Sequence, residues 1–156
     1  MASNAVERFL EHARRLDVPV EVREFPTGTR TAQDAAEAIG CDVAQIVKSL
    51  VFVADDRPVL ALTSGRNRVD EAKLAAALGA SEVRKADAAE VRAATGYAIG
   101  GTPPFGHATD LEVVCDADLV GFDEVWAAAG IPTTVFALTP RRLLEATGAR
   151  TILLAG

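Results

Sequence analysis

Val6, Phe9, Leu10, Ala13 and Leu16 recur at helical spacing, while Arg8, Glu11, Arg14 and Arg15 fall largely on the opposite side. This predicts an amphipathic helix from Asn4, its candidate cap, to about Leu16, with a solvated outer face. Pro19 closes the connection that follows, and Val20–Phe25 alternates apolar with charged residues, the pattern of a half-buried strand. Pro26–Arg30 reads as a turn. Thr31, with Asp34 three residues on, caps a short helix that Gly40 stops after Ile39. Asp42 starts a further helical piece through Gln45. Ile46–Val53 is β-branched and almost wholly apolar, which predicts a central strand covered on both faces. Asp55-Asp56-Arg57 is a hairpin turn, and Pro58–Thr63 returns as the next strand.

The second half continues in short elements. Asp70 caps a helix over Glu71–Leu78 that Gly79 ends, Ser81–Arg84 is a short strand or edge, and Asp87 caps Ala88–Ala94 before Gly96. Leu111–Cys115 predicts a strand and Asp116–Asp118 a turn. Leu119–Val125 has no single pattern. Val125–Gly130 and Thr133–Leu138 predict an antiparallel pair. Thr139-Pro140 starts a helix that reaches Gly148, and Thr151–Leu154 closes the chain as a strand. Strands interleaved with short helices, several returning antiparallel, predict a mixed α/β fold: one largely antiparallel sheet or barrel-like core surrounded by short helices, with residues 1–156 forming one domain.

Two features break these patterns. Lys48 lies inside the apolar strand, where an ammonium is costly without partners. It points into a pocket poised for an anion, or the strand ends near it and it snorkels to water. The run Tyr97–His107, Tyr-Ala-Ile-Gly-Gly-Thr-Pro-Pro-Phe-Gly-His, carries three glycines and two prolines and cannot continue a helix or a paired strand. It is either a rigid loop presenting N–H groups to an oxyanion or carbonyl oxygen, or a tight connection between buried elements. Ser64-Gly65-Arg66-Asn67-Arg68 is a polar loop with two cations, facing phosphate or solvent.

Composition narrows the chemistry. The chain has 156 residues, 49% of them apolar, and a formal net charge of −6. It has enough apolar residues for its own core, and it is too acidic to grip long duplexes through phosphates, though a local pocket for an RNA end is compatible. Cys41 and Cys115 form no CxxC and read as reduced, buried thiols of a cytosolic protein. No run reads as a signal peptide or a membrane span. His12 and His107 are the only histidines, which excludes a histidine-rich metal site, and Walker, GxGxxG and GxSxG patterns are absent. No cofactor or metal is expected. An enzyme built from these residues works mainly by positioning and backbone donors.

Ile46–Leu50, Leu62–Gly65, the segment Leu74–Lys85, Thr95–Gly106 and Leu138–Ala149 together resemble the YbaK family, which includes the editing domain inserted in bacterial prolyl-tRNA synthetases. The likeness runs from about Val20 to Leu154. A strand lysine alone is a weak signal, but the lysine followed by the TGYxxGGxxPxG run is specific. The resemblance implies a trans-editing aminoacyl-tRNA deacylase that hydrolyses the ester of a mischarged tRNA, typically tRNA(Pro) carrying a small residue such as Ala, Cys, Ser or Thr. The family lysine falls on Lys48, where it binds and orients the 3′-terminal adenosine. The family GxxxP loop falls on Gly100–Pro104, whose backbone contacts the substrate near the ester. Some members carry a histidine or a serine in the turn between the last two long strands. Here that turn is Ala128–Thr134, and Thr133 and Thr134 supply its hydroxyls.

The expectation is therefore that Lys48, Gly100 and Gly101 act at the reaction. Ser49, Ser64, Gly65, Thr102, Pro104, Gly106 and Thr133 surround the substrate. Water or a substrate hydroxyl serves as nucleophile. The partners are the acceptor end of a mischarged tRNA and, beyond it, prolyl-tRNA synthetase, with the protein a monomer or dimer. A non-catalytic module that binds a tRNA end or nucleotide, and a hydrolase of another small ester, are the competing readings.

Overall fold

In a computed structural model, which describes residues 4–25 and 31–156, eight strands form one mixed sheet in the order β1-β7-β6-β2-β3-β5-β8, with β4 pairing β2 off that path. The strands are β1 (Arg23–Glu24), β2 (Ile46–Ala54), β3 (Arg57–Ser64), β4 (Val83–Lys85), β5 (Glu112–Asp116), β6 (Val125–Ala128), β7 (Thr134–Leu138) and β8 (Arg150–Ile152). The helices are α1 (Asn4–Arg15), α2 (Ala32–Ile39), α3 (Glu71–Leu78), α4 (Ala88–Thr95), α5 (Ala117–Val120) and α6 (Pro140–Thr147), with a 3-10 turn at Val43–Gln45. β2–β3, β2–β4, β6–β7 and β1–β7 are antiparallel, whereas β2–β6, β3–β5 and β5–β8 are parallel. The architecture is the mixed α/β one the sequence predicts.

Period-2 alternation along β2 splits its side chains between two layers. Val47 and Val51 join Phe9, Tyr97, Phe105, Phe136 and Leu143 in the larger core on one face. On the other face, Ile46 packs with Ala35 and Ala36 of α2, and Phe52 and Ala54 pack with Leu74 of α3. Lys48 shares that second face by register and falls at the seam between its two apolar clusters. The larger core centres on three rings: Phe9 lies 5.0 Å from Phe105 and 4.9 Å from Phe136, and Phe105 and Phe136 are 6.0 Å apart. Phe105 belongs to the glycine-proline bend, so the same cluster that seats α1 on the sheet anchors the bend.

Local chemistry sets most boundaries. The N–H of Asp34 donates to Thr31 Oγ1, Asp70 accepts from the N–H groups of Ala72 and Lys73, and Asp87 forms a reciprocal capping box with Glu90. Asp55 and Asp56 adopt positive φ at the β2–β3 hairpin, the residue type that tolerates it. Five expectations change. Asn4 lies within α1 rather than before it, and Leu16 follows the helix at 47% exposure instead of joining its buried face. The strand expected over Val20–Phe25 pairs only at Arg23–Glu24, against Thr134 and Val135. Asp116 is no turn residue but the last residue of β5 and the cap of α5. Of the two free thiols, Cys115 is buried and Cys41 half-buried. The turn read at Pro26–Arg30 lies outside the described residues. No helix among the described residues is long and apolar enough to cross a membrane.

Removing the central ring of the trio should cost most. Phe9→Ala is expected to lower unfolding free energy by about 3–5 kcal/mol, read as a lower urea midpoint with an unchanged slope.

Candidate active site

One edge of β2 pairs with β3 along its length, but the other edge is divided. β6 pairs it at Ile46 and Val47, and β4 pairs it from Phe52 to Ala54, leaving Lys48–Val51 between them. Gly65 N–H donates to Ile46 O at 2.7 Å on the β3 side, and Ala86 N–H donates to Val51 O at 3.1 Å on the other. By antiparallel alternation, the main-chain groups of Ser49 face this gap. A cleft of about 690 Å³ opens there, lined by Lys48, Ser49 and Leu50, by the tip of the glycine-proline bend, by α2 and by the β6–β7 turn. The cleft follows a strand edge rather than one face. That is how adjacent residues Lys48 and Ser49, which alternation places on opposite faces, both reach it.

Lys48 is half-buried, and its Nζ donates to Asn67 O at 2.6 Å. Burial pushes its pKa below the ordinary lysine value, the nearby cations Lys85 and Arg68 push it further down, and Asp116 partly opposes them. No carboxylate among the described residues forms an ion pair with it. An ammonium has three donors, and one is used here. The loop that holds it is fixed by Asp116, which is 1% exposed. Asp116 Oδ2 accepts from Ser64 N–H at 3.0 Å and from Asn67 Nδ2 at 2.9 Å, and Oδ1 accepts from Asp118 N–H at 3.0 Å. Asn67 Nδ2 also donates to Asp118 Oδ2 at 2.7 Å. A buried carboxylate thus sets the carbonyl that sets the lysine. Asn67 and Asp116 escape sequence reading because the parallel register Leu62↔Cys115 that brings the ends of β3 and β5 together is a long-range fact.

The bend is a tight turn. Gly101 N–H donates to Ala98 O at 3.0 Å, and Gly100 at φ +86° holds the position where a type II turn demands glycine. Thr102 Oγ1 donates to Ala98 O at 3.1 Å. His107 Nε2 donates to Pro103 O at 2.7 Å, and burial pushes the ring's pKa down, so this histidine braces the bend instead of lying free on the surface. A Cβ on Gly101 would sit 2.7 Å from Ile131 Cα and 2.8 Å from Gly130 O, so bare backbone is what lets the bend lie on the β6–β7 turn.

Of the residues singled out in the sequence, Lys48, Ser49, Gly65, Gly100 and Thr102 line the cleft together. The other five do not line it. Gly101 is buried behind the turn with its N–H engaged. Ser64 is buried and its hydroxyl donates to Ala44 O at 2.7 Å. Pro104 is buried, and Gly106 packs against His12, whose Cβ lies 2.8 Å from where its own Cβ would be. Thr133 gives its carbonyl to Phe25 N–H at 2.8 Å, and the Thr134 hydroxyl donates to Ile131 O at 3.1 Å within the turn. Ser49 Oγ is buried without a hydrogen-bond partner. Among the described residues, Lys48 and Arg66 are the only titratable side chains in the lining, which also includes Ala35, Ala127, Ala128 and Val135 as small apolar walls. No cluster among the described residues could hold a metal.

A strand lysine and a braced glycine turn meet in a cleft whose described lining residues include no acid and no imidazole. The chain belongs to the aminoacyl-tRNA editing domain family, whose model matches residues 27–146, and its class of activity is aminoacyl-tRNA deacylation. It is 37% identical over 126 residues to the uncharacterized protein YwhH of Bacillus subtilis (strain 168), covering 80% of each chain. It is 33% identical over 120 residues to the proline–tRNA ligase of Ligilactobacillus salivarius (strain UCC118), covering 72% of this chain but 21% of that enzyme. A solved structure described as a candidate trans-editing enzyme for prolyl tRNA synthetase superposes with a TM-score of 0.95 at 44% identity, covering 100% of this chain and 99% of that one.

Asp116→Ala should leave the Ser64 and Asp118 N–H groups and the Asn67 amide without their acceptor. The expected loss is roughly 3 kcal/mol of stability, measured by urea denaturation, with most of it absent in Asp118→Ala.

Proposed function

We propose that this protein clears mischarged tRNA(Pro) by hydrolysing the ester to a small non-cognate amino acid, of the set Ala, Cys, Ser and Thr. The observation that carries the reading is the meeting of the Lys48 side chain and the bend tip, at Gly100 and Thr102, in one cleft whose described lining residues include no carboxylate and no imidazole. Its described lining residues supply no carboxylate or imidazole as general base. It works by holding the ester still and stabilising the tetrahedral oxyanion, with water or a hydroxyl of the terminal ribose as nucleophile.

In this mechanism Lys48 spends its remaining donors on the terminal phosphate or ribose, and Asn67 O fixes its direction. The bend supplies main-chain polarity beside the ester, and the Ser49 hydroxyl meets a polar atom of the bound substrate, which ends its present lack of a partner. Ala35, Ala127, Ala128 and Val135 form the apolar end that receives the amino-acid side chain. A hydrophobic pocket separates small side chains by only one or two orders of magnitude, which suits a second sieve that accepts the residues a synthetase fails to reject. A prolyl-tRNA synthetase that produces the mischarged species is the natural partner.

Single-turnover deacylation of Ala-, Cys-, Ser- and Thr-tRNA(Pro) tests this directly. At least one should be hydrolysed well above its spontaneous rate, and hydrolysis of none, with the uncharged RNA end still bound, would establish a binding module instead. Lys48→Ala should slow the reaction by roughly 100-fold with the urea midpoint little changed, and an unchanged rate would remove Lys48 from the mechanism. The pH profile adds a second reading. Lys48 must carry its proton to hold an anion, and its pKa lies below the ordinary 10.5. The enzymatic rate above background should therefore fall on the alkaline side before pH 10.5, and Lys48→Ala should lack that limb.

A further inference from the structure

We propose that the phosphate backbone of the RNA reaches the cleft over the 65–68 loop and the β4 edge, with Arg66, Arg68 and Lys85 as its phosphate contacts. This rests on the RNA reading above and adds a side of approach to it. Most basic side chains of the described residues are already committed. Arg14 and Arg15 pair with Glu11, Arg57 and Arg150 with Glu112, Arg84 with Glu90 and Arg141 with Glu145. Arg8 donates to Gly96 O, Arg142 to Asp17 O and Lys73 to Ala155 O. Among the described residues, the side chains of Arg66, Arg68, Lys85 and Arg92 have no carboxylate, carbonyl or aromatic partner, and the first three lie around Lys48.

Their positions are set by the fold. Arg66 and Arg68 flank Asn67, whose carbonyl holds the Lys48 amine, on the loop that Asp116 and Asp118 lock. Arg66 lines the cleft itself. Lys85 pairs with Phe52, which places it on the same face of the sheet as Lys48. Arg84, its neighbour, is taken by a two-bond contact with Glu90 at 2.8 and 2.7 Å. Asp116 and Asp118 accept from the Asn67 amide, and no carboxylate among the described residues forms an ion pair with Arg66 or Arg68. Like charges left unpaired around a half-buried amine cost free energy in the empty protein and are repaid by a polyanion.

The opposite rim has another character. There a hollow beside Trp126 is lined by Glu21 and Glu124 as well as Arg23, and the Arg23 guanidinium is stacked 5.1 Å from the Phe25 ring centre and 5.3 Å from that of Trp126. On a chain of net charge −6, this contrast gives the RNA one favourable side of entry.

The test is equilibrium binding of an uncharged RNA hairpin with a single-stranded 3′ tail, measured from low to moderate salt. Each phosphate contact contributes about 0.7–0.9 to the slope of log affinity against log salt, so Arg66→Ala/Arg68→Ala should weaken binding by roughly tenfold or more and flatten the slope by about 1.5. Lys85→Ala should flatten it by about half that, while Arg92→Ala and Arg23→Ala should leave it as in the wild type. An unchanged slope in the double variant, loss of slope in Arg23→Ala, or no binding of the hairpin by the wild type would overturn the proposal. Binding that shows the expected slope changes without ester hydrolysis would keep the RNA path and overturn the deacylase reading. Hydrolysis of charged tRNA with an unchanged slope in the double variant would do the reverse.

Discussion

The shared edge of β2 is the constraint from which the site follows. A strand inside a sheet normally has both edges filled, and a cleft can open only where a neighbour stops. β6 leaves β2 after Val47 and β4 joins at Phe52, so the backbone between them has sheet on one side and a cavity on the other. This gap exposes a main-chain edge, admits the side chains of two consecutive residues and remains rigid because β3 holds the strand along its whole length. The bend and the β6–β7 turn then roof it, pressed together where Gly101 meets Gly130 and Ile131.

Much of the fold can be read from local chemistry because caps and turns act over three or four residues. Thr31, Asp70, Asp87 and Thr139 each mark a helix start that the backbone confirms, and Gly40, Gly79, Gly96 and Gly148 each end one in the left-handed region. Lys48 is legible as well, as a charge in an apolar strand. What the sequence hides is whatever depends on who stands next to whom. The parallel pairing of β3 with β5 brings Asp116 to Ser64 and Asn67 across some fifty residues of chain. Nothing in the local pattern of Asp116-Ala117-Asp118 separates a buried acceptor from a surface turn.

The glycine-rich bend shows why a motif's residues do not share one role. Read as a string, Gly100, Gly101 and Gly106 are equivalent candidates to approach a ligand. In the structure Gly100 alone faces the cleft, at the turn position that needs positive φ. Gly101 and Gly106 instead let main chain and α1 come close behind it. Ser64 is likewise spent on the fold, while Ser49, one strand away, keeps its hydroxyl unsatisfied at the cleft. Buried polar groups are almost always paired, and the two orphan hydroxyls among the described residues are those of Ser49, in the cleft lining, and Tyr97, in the core.

The electrostatics of Lys48 point the same way. A lysine that owned a carboxylate partner would have its charge compensated in the empty site, and a substrate would have to displace that partner to gain anything. Here the amine is held by a neutral carbonyl, partly desolvated, and repelled by Lys85 and Arg68, with the Asp116 charge a weaker counterweight. Desolvation and the two cations make the protonated amine less stable than in water, and a bound anion would offset both. Proton and anion therefore favour one another at this site. A phosphate bound at Lys48, as proposed, would gain from a lysine that the fold keeps short of charge compensation. On the proposed reading, the cost of an ammonium inside an apolar strand is borne while the cleft is empty and offset in the complex with substrate.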